Sequence, residues 1–140
     1  MNTKMLHVTW FCAGLLACSS PDTPSRNVAV DSRFLEVAQS PQNFDGQVVT
    51  FRAWISLRHE DRNLWATWKD HQSWDTTRCI SLANYGSLES MEASIDGRLV
   101  EVTGVIINDA SKDGTVLRLG ACRDVALELV GASSIKTIVR

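Results

Sequence analysis

The sequence predicts a mainly β domain, and three observations carry that prediction. From Gln47 to Leu57 the chain alternates with period two: Val49, Phe51, Ala53, Ile55 and Leu57 share one face, and Val48, Thr50, Arg52, Trp54 and Ser56 the other. That is the pattern of a strand with one buried face. Further short β-patterned runs follow at Leu64 to Trp68, Arg78 to Leu82, Leu99 to Ile107 and Thr115 to Leu119, separated by turn-forming segments. Finally, the chain repeats itself once. Phe44-Asp45-Gly46-Gln47-Val48-Val49-Thr50-Phe51-Arg52-Ala53-Trp54-Ile55 aligns without gaps on Ile95-Asp96-Gly97-Arg98-Leu99-Val100-Glu101-Val102-Thr103-Gly104-Val105-Ile106. Each copy sets an Asp-Gly turn before a long strand and a small residue, Ala53 or Gly104, at the same point within it. A small residue there permits the sharp coiling that bends a sheet into a barrel. Two copies with different material between them exclude a solenoid.

The remaining elements follow in order. Asp31 or Ser32 caps a short helix over Ser32 to Gln39, in which Phe34, Leu35 and Ala38 recur at helical spacing. Ser40-Pro41 ends it, because the proline ring disfavours helical geometry in the residue before it. After the first strand the polar run His59-Glu60-Asp61-Arg62-Asn63 turns the chain into the second, and a second polar loop, Lys69 to Thr76, leads into the third. Tyr85 to Ser94 is a predicted helix, since Leu88, Met91 and Ile95 fall three and four residues apart. Asn108 to Gly114 is a loop in which Asp113-Gly114 supplies a hairpin turn; the spacing of a calcium-binding loop is absent. Val125, Leu127 and Leu129 extend the β pattern before a polar tail at residues 131–140.

The N-terminus carries a different message. Lys4 and no acid precede Met5 to Ala17, a 13-residue apolar stretch. Its length lies within the roughly 7–15 residues of a signal-peptide core and short of the roughly 20 needed to span a bilayer. Leu15-Leu16-Ala17-Cys18 closes the stretch, and the whole looks like a bacterial lipoprotein signal; Ala13 and Ala17 do not make the A-x-A site of an ordinary secretory leader. The resemblance implies that residues 1–17 are removed and that Cys18 becomes the lipid-bearing first residue. Two or more acyl chains hold such an anchor stably, at about 0.8 kcal/mol per buried CH₂. Ser19 follows the cysteine where an aspartate would mark inner-membrane retention, so the periplasmic face of the outer membrane is the favoured address. Residues 18–30, rich in serine and proline, form the tether and residues 31–130 the domain.

Of the four cysteines, Cys12 leaves with the leader and Cys18 carries lipid. Cys79 and Cys122 remain as an even pair, expected to form a disulfide in an oxidising compartment. Closing a loop of about 43 residues contributes on the order of 4 kcal/mol through restriction of the unfolded chain. Without Lys4, 13 of the 14 basic residues face 16 acidic ones, a formal charge of −3. This balance lacks the basic footprint of a nucleic-acid binder.

Five strands, a helix between the third and fourth, and long first and fourth strands with a small residue in each resemble the OB-fold, a five-stranded Greek-key barrel. The resemblance covers about residues 44 to 120, with an SH3-like or other small β-barrel as the alternative architecture. It implies that the third strand lies beside the fifth, which makes Cys79 and Cys122, the latter just beyond the fifth, neighbours. By fold analogy alone it also raises oligonucleotide binding, which the charge balance opposes.

Candidate chemistry concentrates around the second strand. Trp65, Trp68 and Trp74, interspersed with His59, Glu60, Asp61, Asp70, His71 and Asp75, make a candidate stacking platform for sugar rings or peptide side chains, since flat apolar faces with polar edges suit such ligands. The bland alternative is that these indoles pack the barrel. His59, Asp61 and His71, with Asp70, offer nitrogen and oxygen donors for a small metal-dependent hydrolase, although no H-E-x-x-H spacing accompanies them. There is no G-x-S-x-G elbow and no Gly-rich phosphate loop, and no cofactor is expected. Arg52, Glu101, Arg118 and Arg123 read as a solvated outer surface. The expectation is therefore a lipid-anchored cell-envelope binding or scaffolding module, not an enzyme, held to the membrane through Cys18 and meeting an envelope protein or cell-wall glycan at Trp65, Trp68 and Trp74.

Overall fold

The computed structural model describes residues 28–58, 61–112 and 122–138. Helix α1 (Ser32–Gln39) opens the domain, capped by the Asp31 carboxylate, which accepts hydrogen bonds from the amides of Arg33 and Phe34. The other carboxylate oxygen of Asp31 accepts the Arg52 amide at 3.0 Å, tying the start of the helix to the first strand. Phe34, Val37 and Ala38 enter the core, with the Phe34 ring edge-on to Phe51 at 5.1 Å.

Strands β1 (Val48–Ser56), β2 (Asn63–Trp65), β3 (Cys79–Leu82), β4 (Leu99–Ile107) and β5 (Ala126–Leu129) close a barrel in the order β1-β2-β3-β5-β4 and back to β1. The β3–β5 pairing is parallel and the others antiparallel. This is the OB-like barrel the sequence predicts. Its interior holds the period-two residues of β1 and β4, including Phe51, Ile55, Val100, Val102 and Ile106, with Leu64, Ile80 and Leu127. Burying each such large side chain contributes roughly 1.5–3 kcal/mol. Between β3 and β4 the chain makes a 3₁₀ segment, Tyr85–Met91, and a short helix α3 (Glu92–Ile95), which bury Leu88 and Ile95 where a helix is expected.

The internal repeat is a symmetry of the fold. β1 and β4 pair antiparallel with Phe51 opposite Val102, and these two residues are also equivalent in the repeat. A local two-fold axis therefore runs between them. Its consequences hold atom by atom: the Gly46 amide donates to the Ile106 carbonyl at 2.8 Å and the Gly97 amide to the Ile55 carbonyl at 2.9 Å. Both glycines have positive φ, +72° and +68°, the region open to residues without a Cβ. The Asp45 carboxylate accepts the Asn108 amide, and Asp96 the Leu57 amide, each at 2.9 Å. Each Asp-Gly turn thus caps the far end of its partner's strand.

Three expectations change. The fifth strand expected at Thr115 to Leu119 lies outside the described residues, and its place in the barrel is held by Ala126–Leu129, inside the stretch where Val125, Leu127 and Leu129 prolong the β pattern. Cys122 therefore precedes the last barrel strand. It still meets Cys79, because β3 and β5 are parallel, with Ser81 opposite Ala126, and so start side by side. The second polar loop is largely a helix, α2 (Trp68–Ser73), so Trp68 leaves the second strand. Its start is fixed by Thr67, whose hydroxyl accepts the Asp70 amide at 3.0 Å, a cap that overrides the apparent alternation. Within the expected tail, a sixth strand, β6 (Ile135–Thr137), pairs with β4 at Val100 to Val102. Among the described residues no helix is long and apolar enough to cross a membrane; Cys18 and the expected leader before it lie outside them.

Candidate functional site

Directly opposed residues on neighbouring strands share a face of the sheet, and the ladder aligns Trp54 with Trp65 and Trp65 with Cys79. The three occupy the outer face, away from the barrel interior, and with Leu99 form a second core against which Val28, Trp68, Cys122 and Ile138 pack. The Cys79–Cys122 disulfide, with Cα atoms 5.3 Å apart, is part of this cluster. Trp65 is fully buried, and its indole N–H donates to the Ser56 hydroxyl at 2.9 Å. Its faces and its polar edge are thus used up within the protein, and Trp65 packs the domain as the bland alternative has it.

Helix α2 lies over this face. Trp68, His71 and Trp74 are three residues apart, so they stack along one side. The His71 ring sits 4.4 Å from Trp68 and 5.2 Å from Trp65, and Trp74 lies 5.4 Å from Trp65. His71 Nε2 is 2.7 Å from Asp61 Oδ2, while Asp61 Oδ1 accepts the Asn63 side-chain amide at 2.6 Å. The pair fastens the β1–β2 connection to α2. His71 Nδ1 is buried with no hydrogen-bond partner among the described residues, which suits an Nε2–H tautomer donating to Asp61.

Trp68 is half-buried, whereas Trp74 is 53% exposed. Trp74 has φ 55° and ψ 43°, the left-handed region, and its amide closes the helix on the Asp70 and His71 carbonyls. Glycine usually takes this helix-ending role. For an L-residue the conformation costs roughly 1–2 kcal/mol, which the buried half of the ring, packed on Trp65, offsets while the other half stays in solvent. Beyond it, hydrogen bonds from the Thr77 hydroxyl and then the Thr77 amide hold the Asp75 carboxyl below its ordinary range.

The metal-ligand candidates part company. Asp61 and His71 come together, but Asp70 faces Thr67, whose hydroxyl donates to it at 2.6 Å, and Arg78, whose Nε lies 3.1 Å away. His59 and Glu60 lie outside the described residues. Among those that are described, no group of three or more His, Cys, Asp or Glu side chains is placed to hold a metal ion. On the outer surface Arg52 and Arg123 are exposed and Glu101 is half-buried; Arg118 is outside the described residues.

Sequence reasoning missed two features. Trp54 joins the aromatic cluster, a role signalled by its standing between Arg52 and Ser56 on the mostly polar face of the first strand. A cleft of about 290 Å³ lies between Leu57, Arg62, Tyr85, Leu88, Glu89 and Glu92; these residues come from two separated segments, and no local pattern joins them. Compared with known proteins, the chain matches no family model, no curated protein and no solved structure.

Proposed function

We propose that this chain is a lipid-anchored binding module of the cell envelope, which carries lipid on Cys18 and offers the Trp68–Trp74 edge of its outer aromatic cluster to cell-wall glycan. One observation carries the reading: Trp74 holds a bulky ring half in solvent on a backbone conformation that glycine or asparagine would adopt more cheaply. The exposed half of the ring adds nothing to folding, and strained backbone concentrates where function requires it. An exposed indole offers a sugar ring an apolar face. A disulfide between the two cysteines left after processing agrees with an oxidising compartment.

The variant Trp74→Asn separates the two demands on this residue. Asparagine tolerates the left-handed region, so relieved strain partly offsets the lost packing on Trp65, and stability should fall by no more than about 1–2 kcal/mol. Co-sedimentation with purified cell-wall sacculi should fall at least about tenfold, a loss of about 1.4 kcal/mol. Unchanged sedimentation would remove the surface from consideration, and capture of an envelope protein in place of sacculi would move the reading to a protein partner. The anchor is tested independently, by palmitate labelling that a Cys18→Ser variant should abolish.

A further inference from the structure

The cleft at the end of β1 is built from both signs of charge over an aliphatic floor. Tyr85, Leu88, Glu89 and Glu92 recur at helical spacing, so one side of the Tyr85–Ile95 segment presents a ring, an aliphatic side chain and two carboxylates to the same space. Leu57 and Arg62 supply the opposite wall. Leu57 is buried, and Arg62 lays its guanidinium over the Tyr85 ring, with Cζ 3.8 Å from the centroid. Stacking fixes the guanidinium plane and leaves its N–H edge available for hydrogen bonds. Among the described residues neither Glu89 nor Glu92 forms an ion pair with Arg62. The cation and the two anions therefore line one concavity without neutralising each other.

We propose that this cleft binds a small zwitterion, a free amino acid or dipeptide with an aliphatic side chain. Its carboxylate meets the Arg62 fork, its ammonium meets Glu89 and Glu92, and its side chain rests on Leu57 and Leu88. A volume of about 290 Å³ is at the small end for ligand pockets and matches a molecule of one or two residues. Charge-assisted hydrogen bonds at both ends make recognition depend on the presence of both charges. The site is separate from Trp74 and does not rest on the glycan reading.

Leucine and the dipeptide Ala-Leu are the probes, titrated into the ¹⁵N-labelled full chain while the amides of Leu57, Arg62 and Leu88 are followed. Saturable shifts at these three positions are expected, with N-acetylleucine and leucinamide, each lacking one charge, binding at least about tenfold more weakly. Arg62→Ala should erase the preference for leucine over leucinamide and keep the preference over N-acetylleucine; the double variant Glu89→Gln, Glu92→Gln should do the reverse. All these substitutions replace side chains that are exposed or half-buried, and an unchanged amide spectrum elsewhere verifies the fold. No saturable shift at tens of millimolar, or equal binding of the single-charge analogues, would overturn the proposal.

Discussion

The two copies of the Asp-Gly-strand unit are the same machine put to different uses. Both are entered from a helical turn, Pro41–Asn43 or Glu92–Ile95, both turn at a left-handed glycine, and both end under the partner's aspartate. They differ at the points where the repeat is imperfect. The first copy has Ala53 and Trp54 where the second has Gly104 and Val105. Trp54 seeds the outer aromatic cluster with Trp65 and Cys79. Gly104 lies where the neighbour along the open edge of β4 changes from β6 to β5. The shared Asp-Gly turns cap the ends of the β1–β4 ladder, while the divergent Trp54 and Gly104 serve the candidate site and the barrel closure.

The sharpest way to break this comparison is at the small residue. A Cβ on Gly104 would lie 2.5 Å from the Glu128 carbonyl oxygen and 2.8 Å from Leu127 Cγ. The first contact is with backbone, which cannot rotate away. Gly104→Val should therefore cost about 3 kcal/mol or more and detach β5, measured as a collapse of the denaturation midpoint. Ala53→Gly, the mirror change in the other copy, loses one buried methyl and some backbone restriction and should cost only about 1–2 kcal/mol. Equal effects would show that the two positions are interchangeable and that the asymmetry has no structural meaning.

Of the two copies, the first gives the outer cluster the Trp54 ring and the second only Leu99, and the disulfide ties the cluster to the approach to β5. Replacing Cys79 and Cys122 by serine should lower stability by about 2–4 kcal/mol. Amide exchange should rise first where β3 meets β5, at Ser81 and Ala83, which donate to the Val125 and Leu127 carbonyls. Protection at Ile55 and Ile106, within the symmetric ladder, should persist. Loss of protection everywhere at once would mean that the ladder cannot stand without the addition.

The symmetric half was legible because it is local: period two and an Asp-Gly turn are written into consecutive residues, so β1, β4 and α1 fall where expected. The aromatic site was only partly legible. Three tryptophans flagged the region, but burial depends on what lies across the sheet, and nothing near Trp65 in sequence tells that Ser56 waits for its indole N–H. Trp68 alternated like a strand residue while Thr67 capped a helix. Trp74 gave no sign of its left-handed backbone, since no glycine marks the turn. β6 has only three residues, too few for a period to show, and Arg62 and Tyr85 meet only through the closure of the barrel.

The smallest expected difference is between the two aspartates. Both accept a strand-end amide at 2.9 Å, so symmetry alone predicts equal losses on removal. Their surroundings differ: Asp45 is exposed, whereas the Asp96 side chain is 13% exposed and pairs with Arg58 at 2.7 Å. Arg58 is itself largely in solvent, so the ion pair adds little, about 0–1 kcal/mol. The Leu57 amide matters more, because Asp96→Ala would leave it with no acceptor at a buried residue, while water replaces Asp45 at Asn108. Asp96→Ala should therefore cost about 2 kcal/mol and Asp45→Ala about 1, read from urea midpoints at constant m-value. Because the two caps sit at opposite ends of one ladder, the double variant should be additive. A coupling beyond about 0.5 kcal/mol would mean that the two-fold unit responds as a whole, with each Asp-Gly turn sensing the state of the other.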